Sequence, residues 1–413
     1  MNSSCYRRAV KLSGTYRAQG GETWSDVARR TRGNDLYANA IKRANPALQE
    51  PLEEGFLVQI PMGYFQPANI GQGDLVIQVD GYTLGTLDEF EMVLAIDAIS
   101  KCSFMVPNEP ETRALFLPLQ SQRITVDHLG ERLFTGRCAS PQPQNTPNQK
   151  TLSIEAYSDP GILELCSPSI EKFPLEWKNS LLEQIAEDLC DEHGISVQFE
   201  TPTSSRFKRV DITPGQNILG FLSDLASQRG LILTSDASGT LLIHTGSSDG
   251  KVVSFLQNGK HPTENIDLAI NEDKYFSSVT GIVPPKSKRG KIGAKYTVQN
   301  PHSTSVVRSY TFECRDIDKG ELETAVKSTA GRMFAEVVSC SVDVATWHND
   351  MGSVYQPGQL VSLQSTEDFI PDPFSFLVTM VTLRKSAGNQ IASLNLSPPG
   401  VYSGEVPTRL PWL

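Results

Sequence analysis

The sequence predicts an α+β protein that is mainly β, with a βααβ module followed by two barrel-like β domains that bracket a small α+β module. The chain of 413 residues exceeds the usual length of one domain, and short alternating strands recur on both sides of its middle. The first predicted segments are a flexible lead-in (residues 1–14), the βααβ module (15–62) and a Pro/Gly linker (63–73). The first β domain (74–172), the α+β module (173–246) and the second β region (247–413) follow.

The clearest local pattern lies in residues 211–245. Thr213 and Gln216 fit a capping box, and Pro214 occupies the first helical position, where a missing N–H costs nothing. Apolar residues then recur at helical spacing until Gly230, which is typical of a left-handed C-cap. We therefore predict a helix that starts at Pro214 and docks on a core.

A hairpin and an upstream repeat of the unit complete the predicted α+β module. Residues 231–234 and 240–245 have strand character and flank a polar turn. Upstream, Ser180 and Glu183 fit a second capping box, and Gly194 ends the apolar stripe that follows it. Two helix–glycine–strand units in tandem predict helices that cover a small sheet.

The N-terminal module has the order β-α-α-β in under 50 residues. A short strand precedes a helix that begins at Trp24 and stops near Gly33, a second helix spans residues 36–44, and a strand over residues 55–61 closes the module.

The two β regions are predicted from short strands at regular spacing. In the first, residues 128–131 form a tight hairpin and residues 139–149, rich in Pro, Gln and Asn, form a long exposed loop. The second contains one helix near residues 319–336. Both patterns favour a barrel or sandwich.

Composition excludes several classes of function. A net charge of -10 argues against a nucleic-acid-binding surface, which needs clustered Lys and Arg, and the one basic run, residues 286–291, is interpreted as a solvated loop. Seven scattered cysteines without a C-x-x-C pair indicate reduced thiols. No apolar run approaches 18 residues, and no apolar signal-peptide segment follows the basic residues near the N-terminus, so a soluble protein with no membrane span is expected.

A search for chemistry finds no catalytic, metal-binding or cofactor-binding set. The six histidines never fall at i, i+3 or i+4 of each other, and P-loop, zincin and dinucleotide fingerprints are missing. Residues 246–250 fit G-x-S-x-G, but a strand rather than a helix is predicted after them, so a polar turn is the better interpretation. We therefore predict a protein that is not an enzyme.

Residues 15–62 resemble a LysM module. The motif residues are Gly21-Glu22-Thr23 at the first turn, Val27-Ala28 in the first helix, Asn45-Pro46 after the second helix, and Gly55 to Pro61 in the closing strand. The resemblance implies either of two roles, binding of N-acetylglucosamine-containing glycan or docking of another protein.

The LysM resemblance also implies where a ligand would lie. The groove between the first turn and the second helix would place Glu22, Thr23, Trp24 and Ala47 near a sugar or a protein partner. Docking is the favoured role, because no export signal or hydrolytic site accompanies the module. Peptidoglycan binding is expected to be weak.

The order of short motifs from residue 74 onward resembles the baseplate hub proteins of contractile-tailed phages, of the Mu-like hub and late-control D families. The motifs occur in this order at residues 73–76, 134–136, 213–216, 234–241, 271–275 and 355–361. The LysM-like start is a departure from that family pattern.

The resemblance implies a structural role in the virion. Two barrel-like domains per subunit would build a homotrimeric ring that adapts the sixfold tail tube to the threefold central spike and contacts baseplate wedge proteins. DNA would pass through the lumen without specific binding, and the protein would be made in the host cytoplasm. The alternative is a peptidoglycan-directed cell-wall binding protein or hydrolase, targeted by the LysM module.

Overall fold

The computed structural model divides the chain into two compact units, residues 1–90 with 103–156 and residues 91–102 with 157–413. It describes residues 12–32, 38, 41–42, 45–61, 75–85, 87–146, 150–172, 174–203, 205–247, 250–283, 293–302, 306–314, 321–386 and 389–413.

Strands dominate the described residues. They are β1 Leu12–Arg17, β2 Leu57–Pro61, β3 Leu75–Val79, β4 Tyr82–Thr83, β5 Glu89–Ala95, β6 Lys101–Pro107, β7 Arg123–His128, β8 Glu131–Asn145, β9 Lys150–Ser158, β10 Glu176–Ser180, β11 Val197–Phe199, β12 Phe207–Asp211, β13 Ile232–Ser235, β14 Leu241–His244, β15 Val252–Gln257, β16 Thr263–Ile270, β17 Ser278–Val283, β18 Ala294–Gln299, β19 Ser309–Glu313, β20 Val338–Val344, β21 Leu360–Ser365, β22 Ile370–Ser386 and β23 Asn389–Ser397. The α-helices are Trp24–Arg32, Pro110–Leu115, Ile162–Leu165, Leu182–Asp191, Ile218–Ser227 and Leu322–Ala335.

The first unit begins with the N-terminal module. β1 pairs with β2 in antiparallel fashion, and the helix Trp24–Arg32 lies between them in sequence, as predicted. Of the predicted second helix, Ala38, Ile41 and Lys42 are helical and the rest lies outside the described residues. So do residues 1–11 of the lead-in and the whole linker, residues 63–73. The small core consists of Ala18, Trp24, Val27, Ala28, Ile41, Leu52 and Val58.

The rest of the first unit contains the sheet order β9-β8-β7-β3-β4. Leu129 and Gly130 join β7 to β8 with φ of 49° and 86°, the two positive values that a type I′ hairpin needs. The loop predicted over residues 139–149 is instead strand as far as Asn145, where β8 neighbours β9. These residues are largely exposed, as predicted, and residues 147–149 lie outside the described residues. β7 ends alongside the first half of β8, so among the described residues no strand pairs with one edge of the second half, where prolines lose no ladder bond.

The second unit contains the α+β module. β11, β14 and β13 form a three-stranded sheet in that order, with β11 parallel and β13 antiparallel to β14. The helices Leu182–Asp191 and Ile218–Ser227 bury one apolar core with this sheet, and Leu182, Ile185, Ile218 and Leu222 are all fully buried. The predicted hairpin and the helices that cover the sheet are confirmed.

Both predicted helix starts need correction. The second helix starts at Ile218 rather than Pro214, because Gly215 turns the chain at φ 87° and Asn217 supplies the N-cap, accepting from Gly220 N–H at 2.6 Å. The first starts at Leu182, where Leu181 N–H donates to Gln184 Oε1 at 3.0 Å. Glu183, the predicted capping residue, instead accepts hydrogen bonds from Thr203.

The second β region of this unit has the strand path β15-β21-β22-β23-β20-β16, with a separate sheet β18-β17-β19. The helix Leu322–Ala335 confirms the predicted helix and packs on that smaller sheet through Leu322, Ala325 and Val326. None of the sheets formed by the described residues closes on itself. The barrel-like layout therefore stays a prediction.

Candidate functional site

Glu22, the first residue of the predicted LysM-like site, is buried and fully engaged within the module. Its carboxylate accepts hydrogen bonds from Tyr16 Oη at 2.9 Å and Gln19 N–H at 2.7 Å, and Arg30 Nε lies 2.9 Å from it. Burial and this neighbouring carboxylate raise the pKa of Tyr16. Glu22 thus fixes the turn that precedes the helix Trp24–Arg32.

Thr23 and Trp24 also serve the module itself. Thr23 donates through Oγ1 to Asp26 Oδ2 at 2.7 Å and accepts from Asp26 N–H at 3.3 Å, a capping arrangement for the helix Trp24–Arg32. The Trp24 ring is only 3% exposed and its backbone N–H donates to the Glu50 side chain. A buried indole is module core and offers no stacking face to a sugar.

Ala47 is exposed and lies two residues after the buried Asn45, whose Nδ2 donates to Ile41 O at 2.7 Å. Of the four predicted contact residues, Thr23 and Ala47 are therefore exposed, whereas Glu22 and Trp24 are buried.

The structure shows no group of three His, Cys, Asp or Glu residues among the described residues that could hold a metal ion. Two histidines contact backbone carbonyls instead: His244 Nε2 lies 2.9 Å from Ile96 O, and His302 Nε2 lies 2.8 Å from Pro407 O. Of the G-x-S-x-G segment, Ser248 and Asp249 lie outside the described residues, and the strand Val252–Gln257 follows it, as predicted.

No helix of the described residues is long and apolar enough to cross a membrane.

The α+β module is anchored to the helix Leu322–Ala335 by a buried ion pair. Arg229 Nη1 lies 2.6 Å from Glu321 Oε2, and the guanidinium stacks 3.8 Å from the centre of the Phe207 ring. Both side chains are largely withdrawn from water, so the pair fixes an orientation as well as a distance.

The β13–β14 hairpin is anchored to residues 95–100 on another side of the module. Thr234 Oγ1 donates to Ala95 O at 2.7 Å, and Ser235 Oγ accepts from Ser100 N–H at 3.0 Å. Buried backbone N–H and C=O groups lose their hydrogen bonds to water. These bonds, with the one between His244 and Ile96, replace them.

A polar cluster lies near the same contact and consists of Asp97, Asp224, Arg332 and Tyr402, of which both aspartates keep exposed surface whereas Arg332 and Tyr402 are half-buried. Burial raises the pKa of Asp97, which also bonds the Tyr402 hydroxyl, and burial lowers the pKa of Arg332. The carboxylates and the guanidinium partly compensate one another. The cluster joins the module helix Ile218–Ser227, the helix Leu322–Ala335 and the C-terminal segment.

Sequence reasoning missed all of these anchoring residues. Arg229 directly precedes the helix-ending Gly230, where a basic residue is expected for helix-dipole reasons alone. Nothing local in the sequence points to Glu321, ninety-two positions away. Elsewhere in the module Cys166 Sγ lies 3.5 Å from His193 Nε2, and burial raises the pKa of that thiol. The anchoring arrangement itself has, among the described residues, no nucleophile with a base. Its chemistry is that of a rigid connector.

The comparisons with known proteins agree with this interpretation. Residues 161–245, which include both module helices and the three-stranded sheet, match the family described as baseplate hub protein gp44-like, second domain. The baseplate hub protein gp44 of Escherichia phage Mu is 23% identical over 324 residues, which span 75% of this chain and 83% of that protein.

Two solved structures share the fold. The 43 kDa tail protein of prophage MuSo2 from Shewanella oneidensis has a TM-score of 0.68 and 20% identity, over 79% of this chain and 98% of that one. The tail protein from Neisseria meningitidis MC58 has a TM-score of 0.66 and 18% identity, over 80% and 98%. The predicted resemblance to Mu-like baseplate hub proteins is confirmed, and no comparison supports the hydrolase alternative.

Proposed function

We propose that this chain, a Mu-like baseplate hub protein by sequence and by fold, is a structural component of the baseplate of a contractile phage tail. The observation that carries the proposal is the match of residues 161–245 to the gp44-like second domain. In this chain those residues form a module whose polar side chains anchor it to its own surroundings. The proposal gives the chain no enzymatic activity and no cofactor, and it places the protein in the virion.

The proposed assembly is a homotrimeric ring that adapts the sixfold tail tube to the threefold central spike. Two β regions bracket one α+β module, so each subunit offers two β surfaces to a symmetric ring. Three subunits would then present six such surfaces to the tube and three equivalent subunits to the spike. The proposed partners are the tail tube protein, the central spike and the baseplate wedge proteins.

DNA is proposed to pass through the ring without specific binding. The net charge of -10 supports this part of the proposal, because an acidic wall repels phosphate and keeps a passing duplex from adhering.

Negative-stain electron microscopy of the purified full chain tests the ring. We expect round particles with a central hole and threefold averages. Uniformly small, solid particles at micromolar concentration, both alone and with the tube or spike protein added, would contradict the proposal.

The N-terminal module is proposed to be a LysM-like dock for a neighbouring baseplate protein, with weak glycan binding at most. Its support is the burial of Trp24 and the engagement of Glu22, which remove the aromatic and acidic side chains from contact with a sugar. The exposed Thr23 and Ala47 are the proposed contact residues.

A pull-down on insoluble peptidoglycan with the full chain tests the docking role. We expect little retention, unaffected by added chito-oligosaccharides. Strong, saturable retention that chito-oligosaccharides compete away would contradict docking and favour a glycan-binding module.

A further inference from the structure

The two end strands of the second β region differ in how their edges are covered. At β15, the chain near residue 350 supplies partners: Asp350 N–H donates to Val253 O at 3.2 Å, and Phe255 N–H donates to Asp350 Oδ2 at 2.9 Å. At β16, the structure shows pairing with β20 on one side and no strand among the described residues on the other. β16 is eight residues long. Natural proteins rarely leave the edge of so long a strand uncovered, because its unpaired N–H and C=O groups can pair with a strand of another chain.

A cavity of about 440 Å³ lies at the C-terminal end of this bare edge. Its walls are mostly apolar or aromatic, and Glu272, His302 and Arg308 add ionisable side chains to the lining. The main lining residues are Ile270, Tyr275, His302, Phe334, Val337 and Trp412. The Tyr275 hydroxyl is buried and has no hydrogen-bond partner among the described residues. The volume is sufficient for a large side chain, and an unsatisfied hydroxyl favours an occupant with a polar group.

The two faces of β16 suit different parts of an added strand. One face carries Ile266, Leu268 and Ile270. Its exposure increases along the strand toward the cavity, from 9% at Ile266 to 39% at Ile270. On the other face Asp267 is exposed and accepts from Asn265 Nδ2 at 2.8 Å. Directly opposed residues on neighbouring strands contact each other. A strand added here would place one side chain beside Ile270 and another beside Asp267.

The charge around this edge is acidic. Glu264, Asp267, Glu272 and Asp273 are all exposed in and just after β16, and Lys274 is held by an ion pair with Glu336 at 3.6 Å. An incoming strand with Lys or Arg opposite these carboxylates would gain from charge complementarity, whereas an acidic strand would be repelled.

We infer that the free edge of β16 and the cavity at its end form a binding site for an extended, basic segment of a partner protein. The backbone of that segment adds to the sheet, a Lys or Arg faces Asp267, and an aromatic side chain with a polar group, such as Trp, fills the cavity beside Ile270. Backbone bonds then supply affinity and the cavity supplies specificity. This inference goes beyond the proposed hub role and does not depend on the trimeric ring.

A designed peptide titrated onto the full chain tests the inference. The probe is an end-blocked, fluorescent peptide of about nine residues, within the usual range of strand lengths, that alternates Thr with Lys and carries one Trp. We expect saturable binding by fluorescence anisotropy and slower hydrogen exchange at the β16 amides. Asp267→Lys should weaken binding about fivefold and should restore binding of a peptide with Glu in place of Lys. Ile270→Lys should weaken binding by about tenfold or more, because it places a charge beside the apolar anchor.

A matched control distinguishes a charge effect at the proposed site from a general effect of the protein's net charge. Glu313→Lys makes the same charge change on the exposed edge strand β19, and binding should stay as in the wild type. Absence of saturable binding, or equal binding by the wild type and both site variants, would overturn the inference. Light scattering on the same samples adds a third outcome. If the site variants change the mass of the protein rather than peptide binding, the edge belongs to a second copy of this chain and the inference is wrong.

Discussion

Arg229 and Glu321 form an ion pair between residues ninety-two positions apart, with Nη1 2.6 Å from Oε2. The two side chains are 6% and 18% exposed, and the Arg229 guanidinium also lies over the Phe207 ring. This contact ties the gp44-like module to the helix Leu322–Ala335. The orientation of the module within its unit therefore depends on a pair that neither segment could form alone.

Arg229→Met should destabilise the protein by about 3 kcal/mol, because it leaves the Glu321 carboxylate largely buried without its cation. Urea unfolding monitored by tryptophan fluorescence measures the loss. Lys274→Met is the matched control, since Lys274 and Glu336 are 54% and 65% exposed and such pairs contribute less than about 1 kcal/mol. Equal losses in both variants would show that the Arg229 pair has no special role.

Leu222→Ala should cost roughly 2 to 5 kcal/mol of stability, because Leu222 is fully buried in the module core and truncation leaves a cavity. Ser223→Ala, at the exposed neighbouring position, should change stability little. Thermal unfolding followed by circular dichroism compares the two. A normal melting temperature for Leu222→Ala would mean that this helix is not a stability element.

Asn217→Ala should cost about 1 kcal/mol, because the Asn217 side chain accepts the Gly220 N–H at the start of the helix Ile218–Ser227. Thr213→Ala should cost less, since Thr213 is exposed and lies before the turn at Gly215. Chemical denaturation of both variants decides which residue is the cap. A larger loss for Thr213→Ala would restore the helix start predicted from the sequence.

Gly331→Ala should destabilise the protein by about 1 to 3 kcal/mol, although the same change in an open helix stabilises by about 1 kcal/mol. A methyl group at Gly331 would lie 2.2 Å from Val401 O, a backbone atom that cannot move away easily. Differential scanning calorimetry of the variant and the wild type shows whether the melting temperature falls, as expected, or rises. A raised melting temperature would contradict the close packing of the helix Leu322–Ala335 against the C-terminal segment.

The helices and strands of the α+β module could be predicted because each has a strong local pattern. Residues 218–226 repeat apolar side chains at helical spacing, and Gly230 and Gly239 have positive φ as expected of a C-cap and a turn. The exact helix start was missed because two capping signals, Thr213 and Asn217, lie within one turn of each other. The positive φ of Gly215 decides between them, and sequence alone does not reveal it.

Long-range features could not be predicted. Pro141 and Pro143 indicate a loop by composition, yet they fit a strand whose outer edge pairs with no strand in the part of the chain that the structure describes. The Arg229–Glu321 pair and the cavity near Tyr275 depend on contacts between segments far apart in sequence. The predicted site residue Trp24 carried an ambiguous signal, because an aromatic residue after a turn serves a binding groove or a small core equally well, and burial settles it as core.

The mass of the full chain in solution tests the proposed ring most directly. Size-exclusion chromatography with light scattering, from low to high micromolar concentration, should give three times the 45.3 kDa of one chain. Samples mixed with the tube or spike protein should contain three copies per complex. A mass of 45.3 kDa at every concentration, with one copy per complex after mixing, would contradict the trimeric hub.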